Sequence, residues 1–300
     1  MCAEEGKLTR AQKKKKPAAQ YGAPVLLVDF PAQHVCRLTL NRPEKRNALS
    51  NELRGAIFAA LEEVDRNKDI RVSIIRGAGT CFSAGYDLSR ETGNAAQDLP
   101  FYGAGGAGEW ARHVVDGCFR IWDLAKPVIA QVHGWCLAGG SELATACDLV
   151  YVAEDAQIGY PPVRTMSPPD NQFHAWLCGL RPAMEMMLTG DAISGRRAAE
   201  YGFANRAFPL TQLENEVLAI AQRVAKVPGD IQQMNKRSVH RAMEIMGLRA
   251  AIRAGTEIQA LALTTETSRA AFSQFRESVT KGLNARDAAF SDYRTVKKNR

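Results

Sequence analysis

The chain has no uninterrupted apolar run near the ~18 residues needed to cross a bilayer, so membrane insertion is not expected. Nor does an apolar stretch follow the charges at its N-terminus, so no secretory signal is expected. Cysteine occurs seven times, at 2, 36, 81, 118, 136, 147 and 178. The number is odd, the positions are scattered and there is no C-x-x-C. That pattern argues against a disulfide framework and against a zinc site. Each cysteine reads instead as a small buried hydrophobe in a reducing compartment, and a cytoplasmic protein is expected. A basic face interleaved with readout residues is also lacking, so nucleic acid is not an expected partner despite a net charge of +7. Lys13-Lys14-Lys15-Lys16 supplies four of those charges and reads as part of a solvated arm. The modest remaining excess suits a polyanionic small ligand.

With 300 residues, 46% of them apolar, the chain can bury a substantial core. Residues 1–23 read as a flexible basic leader. Val25–Phe30 and His34–Leu40 read as strands of a hairpin turning at Pro31-Ala32-Gln33. A helix is predicted over Ser50–Arg66, with Leu53, Ile57, Ala60, Leu61 and Val64 on one face. Val72–Arg76, Pro127–Val132 and Leu149–Ala153 read as buried strands, with Val114–Leu124 and Gly139–Cys147 as helices between them. This alternation predicts an α/β core over 24–205. From Phe173 onward the chain reads as almost entirely helical, broken at Pro182, Pro209 and Pro228, with 206–300 as a helical C-terminal region.

Residues 89–108 form a long loop rich in Gly, Ala and polar residues. Within it, Gly103-Ala104-Gly105-Gly106-Ala107-Gly108 matches G-x-G-x-x-G. No strand precedes it, so it is read as loop rather than as a dinucleotide site.

Two segments carry chemistry: Cys81-Phe82-Ser83-Ala84-Gly85-Tyr86-Asp87-Leu88 and His133-Gly134-Trp135-Cys136-Leu137-Ala138-Gly139-Gly140-Ser141-Glu142-Leu143. Each follows a strand-like run and turns on glycine. Gly139 and Gly140 open a helix, whose first N–H groups lack intrahelical partners and carry partial positive charge. Gly85 permits a dihedral that can expose the N–H of Tyr86. Together the turns can aim two N–H groups at one oxygen, with Glu142 one helical turn away. The competing structural reading is that the glycines serve close packing, that Glu142 offsets the helix dipole and that Asp87 caps a helix.

With these residues the chain resembles the crotonase (enoyl-CoA hydratase/isomerase) superfamily. The matches are Asn41-Arg42-Pro43 with Asn47-Ala48-Leu49, Phe82–Leu88, Lys126-Pro127-Val128-Ile129-Ala130, and Gly134 through Gly139-Gly140-Ser141-Glu142-Leu143 to Cys147-Asp148. Leu188-Thr189-Gly190-Asp191, Ala198–Gly202 and Arg286-Asp287 follow in the family order. The resemblance implies an α/β fold: a crotonase-type spiral of ββα units with a helical C-terminal trimerisation region. It implies an acyl-CoA thioester substrate, a homotrimer or a hexamer (a dimer of trimers), and no cofactor beyond the coenzyme A that arrives with the substrate. The implied oxyanion hole is the N–H of Tyr86 with that of Gly139. Substrate and CoA contacts would come from Arg46, Ala84, Gly85, Tyr86, Asp87, Leu88, Ser89, Gly139 and Gly140. Glu142 falls on one of the two glutamates of the hydratases.

The second glutamate is expected after a Gly-x-Pro turn. Here Gly159-Tyr160-Pro161 is followed by Pro162, which has no ionisable group. Asp170, eight residues on, either faces Glu142, as a carboxylate does near that spacing in dienoyl-CoA isomerases of the family, or caps a helix beginning near Asn171-Gln172. Tyr160, Arg164 and His174 are further candidates for the pocket, each also readable as surface or core. His133 reads as structural; Trp135 and Trp176 read as core or pocket wall. The expected function is that of an acyl-CoA enzyme, an enoyl-CoA hydratase (a lyase) with Glu142 as acid and base. An enoyl-CoA or dienoyl-CoA isomerase comes second, and a catalytically weak acyl-CoA-binding protein is the alternative of another class.

Overall fold

A computed structural model describes residues 24–89, 93–94, 97–106 and 108–290. The leader expected over 1–23 lies outside these residues, as does part of the long loop.

The chain opens with the hairpin β1 (Leu26–Ala32) and β2 (Val35–Leu40). The turn sits two residues later than expected, at Gln33-His34. Strand β1 continues through Pro31, and its register slips between Asp29 and Ala32. Proline has no N–H to give the ladder and is tolerated at such an irregularity on an edge strand. Helix α1 (Asn51–Arg66) follows; the Ser50 hydroxyl accepts the Leu53 N–H at 3.2 Å to cap it, and Leu53, Ile57, Leu61 and Val64 are buried. Then come β3 (Val72–Gly77), α2 (Glu109–Trp122), β4 (Val128–Val132), β5 (Trp135–Leu137), α3 (Gly139–Thr145), β6 (Leu149–Ala153) and β7 (Gln157–Gly159). The remainder is α4 (His174–Cys178), α5 (Leu180–Thr189), β8 (Ile193–Ser194), α6 (Gly195–Tyr201), β9 (Arg206–Phe208), α7 (Leu210–Val224), α8 (Gly229–Ile245), α9 (Leu248–Ala262), α10 (Glu266–Glu277) and α11 (Val279–Asp287).

Two sheets result. The larger has six strands in the order β1-β2-β3-β4-β6-β9, parallel from β2 onward; the smaller is β5-β7-β8. Successive units place one strand in each sheet, which is the expected spiral. The second sheet was not visible in the sequence, because strands of two or three residues are too short to show an alternation. Leu38, Leu40, Ile74, Ile75, Ile129 and Val132 of the larger sheet are all buried in the core.

Two expectations are corrected. Strand β9 pairs with β6, so the boundary placed after residue 205 falls inside the sheet. Pro182 does not break the chain: it sits in the first turn of α5, where its missing N–H has no intrahelical acceptor to lose, and the break falls at Gly179, with φ of 75°. All six described cysteines are buried and unpaired. No helix among the described residues is long and apolar enough to cross a membrane.

His174 lies fully buried, with neither ring nitrogen hydrogen-bonded among the described residues. Burial pulls its pKa from 6.5 down to about 4. As pH falls through this interval the unfolded chain gains a proton that the folded chain refuses, so stability is lost between pH 6.5 and about 4. Replacing His174 by Leu is expected to lower the midpoint of acid unfolding, relieving up to about 3 kcal/mol. Tryptophan fluorescence across an acid titration reads this; coincident midpoints for the two proteins would refute it.

Candidate active site

Asn47, held at φ of 51°, ties the loop before α1 to the turn after β3. Its Oδ1 accepts the Arg42 N–H at 2.9 Å, and its Nδ2 donates to the carbonyls of Ala78 and Cys81, both at 2.8 Å. The turn is then locked against β5: Ser83 N–H donates to Trp135 O and Leu137 N–H to Ser83 O, both at 3.0 Å. Gly85 has φ of 107°, and a Cβ built there would stand 2.8 Å from Ala138 Cβ. A Cβ on Gly140 would stand 2.5 Å from Ser83 O. These glycines let the two turns touch. Ala138, at φ of 50°, makes the sharp entry into α3. Among the described residues, the N–H groups of Tyr86 and Gly139 donate to no protein acceptor. Gly139 is the first residue of α3, where such a free donor is expected.

The Tyr86 side chain is an element that sequence reasoning missed. Its ring lies over Gly139, where a Cβ would come within 2.6 Å of it. Its hydroxyl donates to Glu142 Oε2 at 2.7 Å. Residue 86 thus presents both a free N–H and a phenol that orients the carboxylate.

Glu142 is completely buried, and its Oε1 accepts the Asn171 N–H at 3.3 Å. Burial raises its pKa from 4.5 to about 7, against the hydrogen bonds from Tyr86 and Asn171, which favour the ionised form. Asp170 faces it. Burial first, and the Glu142 charge second, push the Asp170 carboxyl well above the usual range. Its Oδ1 is buried with no partner among the described residues, an environment that favours the neutral acid. Asp170 does not cap a helix: α4 begins at His174, with Phe173 at its cap position. Its backbone carbonyl instead accepts the Thr256 hydroxyl of α9 at 3.0 Å. The second carboxylate is therefore placed by a long-range contact, which local sequence does not show. Tyr160 is buried close by, its hydroxyl lying in the field of both carboxylates. Pro162 sits in the short 3-10 turn Pro161–Arg164, and its carbonyl gathers the N–H groups of Met166 and Ser167 at 2.8 and 3.2 Å, folding back the segment that leads to Asp170.

The remaining candidates separate. Arg46 is exposed, and its carbonyl accepts the Ala84 N–H at 3.0 Å, so the two are joined through the backbone. Asp87 is buried in an ion pair with Arg42 at 2.7 Å and accepts the Ser89 N–H at 2.9 Å, which makes it a clamp on the turn. Leu88 points outward, 37% exposed. Of residues 84–89, Tyr86 alone lines the cleft, beside Gly139 and walls of Leu49, Ile57, Phe58, Val114, Ile121 and Leu143. Arg164 is buried between Asp191 and Asp287, and His133 Nε2 lies 2.9 Å from Gly79 O; both are structural. Trp176 packs against the core. Among the described residues no strand runs into the G-x-G-x-x-G segment, whose Gly108 instead stands at the cap position of α2.

The enoyl-CoA hydratase/isomerase family matches residues 31–290. A hydroxycinnamoyl-CoA hydratase-lyase from Pseudomonas fluorescens is 32% identical over 212 residues, 69% of this chain and 75% of that protein. An enoyl-CoA hydratase/isomerase structure from Xanthobacter autotrophicus Py2 superposes with a TM-score of 0.79 at 33% identity, covering 89% of this chain and 98% of that one. An enoyl-CoA hydratase structure from Mycobacterium smegmatis gives 0.80 at 28% identity, with 90% and 95% covered. The fold is the crotonase fold, and the chain belongs to the enoyl-CoA hydratase/isomerase family.

Proposed function

We propose that this enzyme adds water across the double bond of a 2-enoyl-CoA. The observation that carries the reading is the buried pair Glu142 and Asp170, next to two unengaged N–H groups. The thioester oxygen accepts from the N–H groups of Tyr86 and Gly139. Ionised Glu142, held by Tyr86 and Asn171, takes a proton from water as the water oxygen bonds to C3. The π electrons move onto the thioester oxygen, and the resulting enolate is stabilised by about 3 kcal/mol or more per well-aimed donor. Protonated Asp170 delivers its proton to C2 as the enolate collapses. Proton return from Glu142 to Asp170 through the pocket completes the cycle. No metal or redox group is required. Coenzyme A enters with the substrate, its nucleotide near Arg46 and Ala84. The exposed apolar residues of α8 and α9, among them Met234, Val239, Ile245 and Ile258, provide the face that a homotrimer, or a hexamer built from two, would bury.

An enoyl-CoA or dienoyl-CoA isomerase is the second reading, favoured by a carboxylate at 170 rather than at 162. One assay separates the two. A hydratase is expected to lower the conjugated thioester absorbance of a 2-enoyl-CoA and to leave a 3-enoyl-CoA unconjugated. Rising absorbance from the 3-enoyl-CoA, with a stable 2-enoyl-CoA, would replace hydration by isomerisation.

A further inference from the structure

The acyl cleft holds a charge that the proposed hydration does not use. Arg54, on α1, is 4% exposed and lines the cleft with Tyr86 and Gly139. Its guanidinium is framed by aromatic faces, 5.1 Å from the Trp110 ring centre and 5.8 Å from that of Tyr86. Its hydrogen bond is to Asn51 Oδ1 at 2.8 Å, and among the described residues it forms no ion pair. A guanidinium carries five N–H donors in a fixed fork, so most of this one's capacity is unspent. The other interior arginines differ: Arg42 is paired with Asp87, and Arg164 with Asp287 and Asp191. Among the described residues, Arg54 is the buried arginine that lines the cleft.

Desolvation weakens the charged form of Arg54, and the nearby groups Tyr86 and Cys118, then Asp170 and Glu142, restore part of it; among the described residues none of them forms an ion pair with the guanidinium. A cleft built only for an alkyl chain has no use for a guanidinium that lines it with most of its donors unspent. A carboxylate entering there would meet the donor fork bidentately, in a desolvated and ring-walled setting.

We propose that Arg54 is the specificity residue of this cleft, and that the preferred acyl group is that of a short dicarboxylic acid joined to coenzyme A through one end, its free carboxylate on the Arg54 guanidinium. The inference rests on the acyl-CoA reading above and names the substrate class within it. Its thioester end occupies the oxyanion hole, one aromatic ring away from the guanidinium.

The test uses thioesters that cannot react. Titration calorimetry of the full-length protein with glutaryl-CoA and with butyryl-CoA is expected to show glutaryl-CoA binding at least about tenfold more tightly, a difference of about 1.4 kcal/mol. The preference should vanish in Arg54→Gln and partly return in Arg54→Lys, whose single ammonium cannot make the bidentate contact. Equal affinities in the wild type, or a preference that survives Arg54→Gln, would overturn the proposal. Because neither ligand has a double bond, failure of hydration leaves this result standing. Hydration of crotonyl-CoA with no glutaryl preference sinks only the Arg54 inference. If neither thioester binds, both readings fall.

Discussion

Glu142→Gln is expected to lose at least about a thousandfold in turnover and, above neutral pH, to be more stable than the wild type. The two effects share one cause. Glu142 is wholly buried, and burial outweighs the hydrogen bonds from Tyr86 and Asn171, so its pKa rises from 4.5 to about 7. A carboxyl whose pKa is raised on folding binds its proton more tightly in the folded state. Its stabilising contribution is full below pH 4.5 and is lost as pH rises to about 7, so above that the ionised carboxylate is a net burden. The burden corresponds to about 3 kcal/mol at pH 8, and Gln removes it while keeping the shape and an acceptor for the Tyr86 hydroxyl. Thermal melts should show the variant higher at pH 8 by several degrees, on a scale of about 2–4 °C per kcal/mol, with the gap closing near pH 4.5. A variant equally stable at pH 8, or a gap independent of pH, would mean that Glu142 is not held in this way. In the wild type the same titration sets the acid limb of kcat/KM near pH 7, because the base must be ionised before water can be deprotonated.

Much of this arrangement was legible before the fold. The glycine turns were readable because φ above zero and close backbone approach demand glycine at Gly85 and Gly140, so the requirement is written into single residues. Helix α1 was readable because its apolar face repeats with the helical period and Ser50 caps it. What escaped was long-range or short-lived in sequence. Strands β5, β7 and β8 are too brief to carry a pattern. The Asp87 carboxylate carries no mark of its choice between lining a pocket and clamping Arg42, since the partner lies 45 residues away. Asp170 was ambiguous for the same reason: a residue after two prolines suits a helix cap, and only the α9 contact through Thr256 turns the segment inward. The phenol of Tyr86 and the guanidinium of Arg54 gave no local signal at all. A tyrosine in a turn and an arginine in an amphipathic helix are ordinary at the surface, and only packing reveals them as buried.

Asp170→Asn tests the part of the site that the family resemblance left weakest. Pro162 removes the usual second carboxylate, so if Asp170 replaces it as proton donor to C2, the amide should lower kcat by about a hundredfold or more, with a small change in KM. A steric or folding defect would also lower activity, so the pH profile is the sharper readout. In the wild type, kcat/KM should rise as Glu142 ionises and fall at high pH as Asp170 loses its proton, because burial first and the Glu142 charge second hold that proton on. Asparagine cannot lose one. The variant should keep the acid limb near pH 7 and lose the alkaline limb, running flat at its reduced rate. Conversely, Glu142→Gln removes the like charge that raises Asp170, so the Asp170 carboxyl should titrate lower in that background. The double variant should then be little slower than Glu142→Gln alone, since the two groups act on one proton cycle and their losses do not add. An Asp170→Asn enzyme within about threefold of wild-type kcat, or one that retains the alkaline limb, would assign the proton at C2 to Glu142 acting alone.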